Sequence, residues 1–229
     1  MTQSTLQPDI TGATSAQTPL ADRARAALDR AVTALLDKQH DDGHWCAELE
    51  GDSILQSEYV LMKWIMGTEH DENIPAIIRY LRRQQRPDGG WAQYPGGSLG
   101  GGKFDLPATV KAYFCLKLAG DDPDAEHMRQ ARELVLAHGG AERVNSFSKF
   151  YLAALGQVSW NANPSIPPEI VYLPRWFYFH LNKVSAWTRT MITPLSIVTT
   201  YRPVRSVPKE RGIDELYVSE RARHRLLGG

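Results

Sequence analysis

Apolar residues recur at helical spacing along most of the chain. Between residues 21 and 39 they lie three or four positions apart and form one stripe, at Ala24, Leu28, Ala31, Val32, Leu35 and Leu36. Residues 53–66 are apolar on almost every side, which is typical of a helix buried among several neighbours. Runs in which valine or isoleucine alternates with polar residues are scarce. The pattern therefore predicts an all-α fold.

Residues that favour helix ends set the bounds of the later helices. Asn73 is expected to cap a third helix that runs to about residue 85, with Pro75 in its first turn. Further helices are predicted over residues 107–118, 124–137, 145–155, 169–180 and 186–200, with glycines after several of them. Residues 1–19 are rich in serine, threonine, glutamine and proline, and we expect them to form a disordered lead-in.

One internal repeat follows the first and third predicted helices. Its two copies obey a Gln-x-x-x-Gly-x-Trp pattern and consist of Gln39, Gly43 and Trp45 and, 46 positions later, of Gln85, Gly89 and Trp91. Glycine permits the positive φ of a tight turn, and tryptophan offers a flat face and one N–H donor. The glutamine amide can bond free backbone groups at a helix end. A period of 46 residues is typical of stacked helix pairs. We therefore interpret the loops as structural elements that hold helix ends in place, rather than as ligand sites.

Composition narrows the class of protein. The chain has 26 basic residues (lysine and arginine) and 26 acidic residues (aspartate and glutamate), so its formal net charge is zero. Because nucleic-acid-binding proteins normally carry a clustered basic excess, we expect no nucleic-acid partner. Cys46 and Cys115 are too few and too far apart for a disulfide framework or a zinc site, and we expect free thiols. No stretch approaches the roughly 18 apolar residues of a spanning helix, so we expect a cytoplasmic protein whose attachment to a membrane surface is open.

Glu58 is an ionisable residue within the otherwise apolar second helix. An unpaired carboxylate is costly in such surroundings. We therefore expect a buried partner, a raised pKa or a functional role for this side chain. A position on the one solvated edge of the helix is the alternative.

The repeated loops resemble the QW motifs of squalene–hopene cyclases and oxidosqualene cyclases. The second half adds to the resemblance, because residues 149–160, 164–170, 185–190 and 194–198 are similar, in family order, to consecutive segments of bacterial squalene–hopene cyclases. The resemblance implies that residues 20–218 form an incomplete α/α barrel, a toroid of stacked helix pairs with QW-type loops beside a large apolar cavity. It also implies peripheral attachment at the inner membrane face, and neither a metal ion nor a cofactor.

Members of that family are intramolecular cyclases of hopanoid synthesis, which act on squalene or a related polyprene. An aspartic acid in an Asp-x-Asp-Asp motif protonates a terminal alkene, and this weak base demands a strongly activated acid that is shielded from water. Aromatic faces stabilise the resulting carbocations without attacking them. The resemblance assigns Trp187 and Phe147 to the cavity wall, and Glu58 to the cavity end where the acid operates. Core packing is the alternative for Trp187, and Phe150 or Tyr151 could replace Phe147.

The sequence departs from the family pattern in two ways. It lacks Asp-x-Asp-Asp, and the Asp-Asp-Pro-Asp of residues 121–124 is expected only to cap the fifth helix. Residues 219–229 form a basic tail without family likeness. We therefore expect an amino-terminal fragment of a truncated, split or frame-shifted product, inactive alone and open to completion by a second polypeptide. A non-catalytic lipid-binding or remnant module is the alternative. A prenyltransferase subunit is disfavoured because its zinc site has no counterpart.

Overall fold

The computed structural model describes residues 19–46, 52–94 and 104–218. Within these ranges the chain forms no strand, so the all-α prediction is confirmed. The α-helices of these ranges are α1 (Leu20–Leu36), α2 (Ser53–Met66), α3 (Ile74–Gln84), α4 (Leu106–Leu118), α5 (Glu126–Ala137), α6 (Ser146–Ala154) and α7 (Ala186–Tyr201). The expected lead-in, apart from residue 19, and the basic tail at residues 219–229 lie outside the described residues. The chain divides into two compact units, residues 1–49 and 50–229.

The first unit contains α1 and the loop that follows it. α1 begins after Pro19 and carries Asp22 in its first turn. A negative charge there stabilises the helix by interacting with the positive end of its dipole. The helix ends at Leu36, and the backbone turns over the next two residues. Every described residue of this unit is exposed, including the apolar stripe of α1.

α4 is the central helix of the second unit. Each residue from Ala108 to Leu118 is buried, and α2, α3 and α5 pack against this helix. The two buried lysines of α4, Lys111 and Lys117, are both paired with glutamates. Asp105 fixes the start of α4, because its carboxylate accepts a hydrogen bond from Ala108 N at 2.8 Å.

α2 and α3 are joined by a short turn. Asp52 caps α2 by accepting two backbone N–H bonds from the first turn, and Gly67, with a φ of 75°, follows the last residue of the helix. Asn73 precedes α3 as predicted, but its side chain accepts no capping bond. The Asn73 amide donates instead to Asp71 Oδ1 at 3.1 Å. The helix start was therefore predicted correctly, and the role of the asparagine side chain was not.

The prediction that residues 121–124 cap α5 is wrong. Ala125 precedes this helix, and no side chain accepts a capping hydrogen bond from the backbone N–H groups of its first turn. The N–H of Ala125 donates to the carbonyl of Asp122 at 3.0 Å, so a separate turn stands between the aspartates and the helix. None of the three aspartates therefore occupies the capping position of α5.

Asp121 links α3 to α5 instead. Its carboxylate accepts a hydrogen bond from Arg82 Nε at 3.0 Å and lies 2.8 Å from His127 Nε2. Burial acts to raise the pKa of Asp121, but the bonds from Arg82 and His127 outweigh it and hold the pKa below its usual value.

The predicted helix at residues 169–180 is also wrong. Only Pro168–Tyr172 is helical, as a 3-10 helix, and Leu173 is extended with a ψ of 133°. Pro174 causes this break, because proline disfavours the helical conformation of the residue before it and lacks an N–H donor. The aromatic residues that follow therefore lie in turns and bends.

After α7 the chain returns to α4. We call residues 205–218 the closing segment, and two of its side chains, Ile213 and Leu216, are fully buried. Tyr113 Oη donates to Glu215 Oε1 of this segment at 2.8 Å. The closing segment therefore supplies both apolar cover and a charged partner to the central helix.

Candidate functional site

The two Gln-x-x-x-Gly-x-Trp loops share one backbone geometry. The glycine has a positive φ in each, 89° at Gly43 and 84° at Gly89. The N–H of the residue after the glutamine donates to the carbonyl of the residue after the glycine, at 2.9 Å in both loops. A side chain at either glycine would be strained by this φ, which accounts for the residue type.

The glutamine and tryptophan side chains bond equivalent backbone groups in the two loops. The glutamine amide donates to the glycine carbonyl, at 2.7 Å from Gln39 and 2.8 Å from Gln85. The indole N–H donates to a carbonyl in the last turn of the preceding helix, at 2.6 Å from Trp45 and 2.8 Å from Trp91. The indole thus ties each loop to the last turn of the helix that precedes it.

The second loop has further contacts within its unit. Trp91 is fully buried, whereas Trp45 is 52% exposed. Gln85 Nε2 also donates to the carbonyl of His127 in α5, at 2.7 Å. A Cβ at Gly89 would lie 2.9 Å from two atoms of Gln130, so α5 passes directly against this turn.

Glu58 has a buried partner, which is one of the outcomes expected from the sequence. Lys111 Nζ of α4 donates to Glu58 Oε1 at 2.6 Å, and the side chains are 3% and 24% exposed respectively. Tyr151 of α6 also interacts with this carboxylate. Burial, reinforced by the charge of Glu58, raises the pKa of Tyr151 to about 12. The hydroxyl therefore stays protonated at neutral pH and can donate a hydrogen bond to the carboxylate. The Glu58 carboxylate thus interacts with the ammonium group of Lys111 and the phenol group of Tyr151.

Sequence reasoning missed Lys111 as the partner of Glu58. The available signal was a lysine in the middle of α4, a helix with little other polar character. The sequence indicates Tyr151 only as an alternative to Phe147 in the cavity wall. The same reasoning also missed the pair between Lys117 and Glu215.

Phe147 and Trp187 occupy equivalent places in two capped helices. Each is the second residue of its helix, two positions after the capping residue. Asn145 accepts a bond from Ser148 N at 2.9 Å in α6, and Ser185 Oγ accepts from the backbone N–H three residues ahead at 3.1 Å in α7. Phe147 is 48% exposed and Trp187 is 69% exposed.

The three predicted cavity residues lie on three helices, Glu58 on α2, Phe147 on α6 and Trp187 on α7. α2 and α6 contact each other, and α7 packs on the 3-10 helix Pro168–Tyr172. In the part of the chain that the structure describes, no hydrogen bond or ring contact links Glu58, Phe147 and Trp187 to one another. Nor do the described residues bring together three or more His, Cys, Asp or Glu side chains that could hold a metal ion.

Comparison with known proteins identifies the family. A profile described as the squalene-hopene cyclase N-terminal domain matches residues 28–227. The chain belongs to this family. The resemblance inferred from the sequence is confirmed, and the N-terminal domain of the squalene–hopene cyclase family is therefore the setting of the residues above.

Relatives from bacteria and a fern cover most of this chain. The squalene–hopene cyclase of Zymomonas mobilis is 45% identical over 203 residues, which are 88% of the chain and 30% of that protein. The squalene–hopene cyclase of Alicyclobacillus acidocaldarius is 36% identical over 193 residues, 84% of the chain and 30% of that protein. The dammaradiene synthase of Dryopteris crassirhizoma is 34% identical over 195 residues, 85% of the chain and 28% of that protein. The chain thus spans about 30% of the length of these family members.

Across the described ranges, none of the helices has the length and apolar character needed to traverse a lipid bilayer.

Proposed function

We propose that the chain forms one wall of the substrate cavity of a squalene–hopene cyclase-type enzyme. In this proposal residues 20–218 contribute an incomplete α/α barrel, and the enzyme cyclises squalene or a related polyprene after protonation of an alkene. The observation that carries the proposal is the exposure of Phe147 and Trp187, each fixed in the first turn of a capped helix. The cap of each helix fixes the position of its ring, so both rings are suited to line a cavity that the rest of the enzyme completes.

The aromatic side chains would act on the carbocations. Their ring faces are negative, so they stabilise passing positive charge without forming a bond to it. Glu58 would sit at the cavity end, where Lys111 and Tyr151 hold its carboxylate in place. The printed sequence has no Asp-x-Asp-Asp, so the proton donor is assigned to the remaining part of the cyclase, on this or a second polypeptide.

The two Gln-x-x-x-Gly-x-Trp loops are proposed to be structural. In both, the amide nitrogen of glutamine and the indole nitrogen of tryptophan already donate to backbone carbonyls. A ligand at these atoms would have to replace bonds that the fold uses.

A chimera tests the cavity proposal. Residues 28–218 of this chain replace the matching segment of the Zymomonas mobilis squalene–hopene cyclase, and conversion of squalene to hopene is measured. The chimera is expected to be active. Trp187→Ala should lower its rate by roughly 30-fold, because a desolvated cation–π contact is worth about 2 kcal/mol.

Tyr201→Ala is the matched control, since Tyr201 is an exposed aromatic residue at the other end of α7. It should leave the rate within about twofold of the unchanged chimera. A folded chimera that makes no product would defeat the cyclase proposal. Equal rates for the Trp187 and Tyr201 variants would remove Trp187 from the cavity wall.

We also propose that the aromatic segment of residues 172–179 contacts the inner, cytoplasmic membrane face. The segment exposes Tyr172, Trp176, Tyr178 and Phe179. Tyrosine and tryptophan favour the interface between lipid and water. Arg175 and Lys183 are exposed within and after this segment, where they could approach anionic head groups.

Vesicle sedimentation tests the membrane proposal. The chain is expected to sediment with phosphatidylglycerol vesicles more than with phosphatidylcholine vesicles, and the double variant Trp176→Ser, Phe179→Ser should sediment less with both. Trp45→Ser is the control for loss of an exposed tryptophan elsewhere. Equal sedimentation of all three proteins would contradict the proposal. Membrane binding with an inactive chimera would instead favour the non-catalytic lipid-binding alternative.

A further inference from the structure

A pocket of about 440 Å³ lies in the second unit, away from Glu58, Phe147 and Trp187. It is lined by parts of α2, α3 and α4 and by the first half of the closing segment. Its inner wall includes the buried apolar side chains of Val60, Ile78 and Leu118. The volume lies within the roughly 300–1,000 Å³ range of small-molecule sites. We call it the α2–α4 pocket.

Two arginines of the closing segment, Arg205 and Arg211, line this pocket, and they differ in whether a carboxylate neutralises them. Arg205 is neutralised by Glu69: Nη1 donates to Oε2 and Nη2 donates to Oε1, both at 2.8 Å. It also donates to the carbonyl of Trp64. Arg211 Nη1 donates to the carbonyl of Leu118 at 2.8 Å. Among the described residues no carboxylate lies within 4 Å of the Arg211 guanidinium, so this cation is not neutralised there.

The Trp64 ring helps to fix both guanidinium groups. Their central carbons lie 5.9 Å (Arg205) and 5.6 Å (Arg211) from the ring centre, within cation–π range. A guanidinium that is already oriented loses little conformational freedom when it binds an anion. The pocket therefore combines an apolar wall with a positioned, uncompensated cation.

Cys115 also lines the pocket, but it offers no reactive thiolate. Its thiol is fully buried and lies 3.3 Å from the carbonyl of Ser57, to which it donates. Burial raises the pKa of this thiol, which keeps it protonated. The pocket is therefore suited to reversible binding rather than covalent chemistry.

We propose that the α2–α4 pocket binds a small amphiphile, with its anionic head group on Arg211 and its short apolar chain against Val60, Ile78 and Leu118. A carboxylate or a phosphate can each accept the remaining N–H groups of the guanidinium. This site is separate from the proposed substrate wall and does not depend on cyclase activity.

Calorimetric titration of the full chain tests the proposal. Octanoate, kept below its micelle concentration, is expected to bind at one site. Octanol, which has the chain without the charge, and acetate, which has the charge without the chain, should each bind at least about tenfold more weakly. Octyl phosphate compares the two head groups, and its relative affinity shows whether the site prefers a phosphate or a carboxylate.

Variants separate the charge from the cavity. Arg211→Met should weaken octanoate binding by about tenfold or more and leave octanol binding unchanged, whereas Arg211→Lys should keep part of the affinity. Ala119→Trp fills the pocket from its exposed edge and should abolish octanoate binding with Arg211 intact. Arg79→Met, at an exposed arginine of α3, is the matched control and should bind normally. Circular dichroism confirms that each variant is folded.

Three results would overturn the proposal. They are the absence of saturable octanoate binding, equal affinity for octanoate and octanol, and unchanged octanoate binding in a folded Ala119→Trp variant. Phosphatidylglycerol vesicles identify the source of a bound amphiphile. Octanoate that displaces the wild-type chain but not Ala119→Trp from vesicles indicates a membrane lipid, and octanoate binding without such competition indicates a free amphiphile.

Discussion

Replacing Gly89 by alanine should destabilise the second unit by more than the strain of its backbone. At a φ of 84° an alanine costs about 1–2 kcal/mol. Its Cβ would also lie 2.9 Å from the carbonyl carbon and from the Cβ of Gln130. These atoms belong to the packed helix α5 and cannot rotate away, so overpacking adds about 1–3 kcal/mol. The total expected loss is about 2–5 kcal/mol.

Gly120→Ala is the matched control within the same unit. Gly120 has a φ of 98°, but a Cβ there would meet nothing within 4 Å. Both substitutions restrict the unfolded chain equally, so that effect cancels between them. Gly120→Ala should therefore cost about 1–2 kcal/mol, from the backbone alone. Gly43→Ala, in the first loop, is expected to behave like Gly120→Ala, because the nearest atom, Gln39 Nε2, is 3.8 Å away.

Urea unfolding followed by far-UV circular dichroism measures the difference. With a slope of about 2 kcal/mol per molar urea, the midpoint of Gly89→Ala should lie roughly 1 M below that of Gly120→Ala. The two variants must share one slope for the comparison to be valid. Equal midpoints would refute the reasoning, because the close approach of α5 would then have no energetic consequence.

Three further perturbations test other contacts of the second unit by urea unfolding. Gln85→Leu removes two amide hydrogen bonds and should cost about 2 kcal/mol, and a change below about 0.5 kcal/mol would show that water replaces both bonds. The pKa of Glu69 is lowered to about 2 by its bonds from Arg205, so its stabilising effect is complete above pH 4.5 and is lost as the pH falls towards 2. The midpoint of Glu69→Gln should therefore fall less than that of the wild type over this range, and parallel curves would contradict the assignment. Glu58→Leu should cost about 3–5 kcal/mol and more than Lys111→Met, because it leaves the more buried charge unpaired. The double variant should recover most of the loss, and additive losses would argue against a direct pair.

Local sequence signals predicted most helices because their causes are local. Apolar spacing and glycine placed α2 at Ser53–Met66 as observed and gave the ends of α4 and α5. The turn geometry of the repeated loops also follows from neighbouring residues. The predicted helix at residues 169–180 is wrong because apolar content does not outweigh Pro174. This proline disfavours the helical conformation of Leu173, the residue before it.

The partners of charged residues were not predictable, because they come from distant parts of the chain. Glu58 and Lys111 are 53 positions apart, and Lys117 and Glu215 are 98 positions apart. Nothing in the sequence near Glu58 shows which lysine of a later helix will face it. The same holds for the α2–α4 pocket, whose arginines follow α7 while its apolar wall precedes α5.

The closing segment has a consequence for the synthesis of this protein. Tyr113 and Glu215 are 102 positions apart, so α4 leaves the ribosome long before the residues that cover one of its sides. At a translation rate of about 5–20 residues per second, this delay lasts roughly 5–20 seconds. During that interval the nascent chain presents an apolar helix with the unpaired ammonium of Lys117, which is a suitable target for chaperones and proteases.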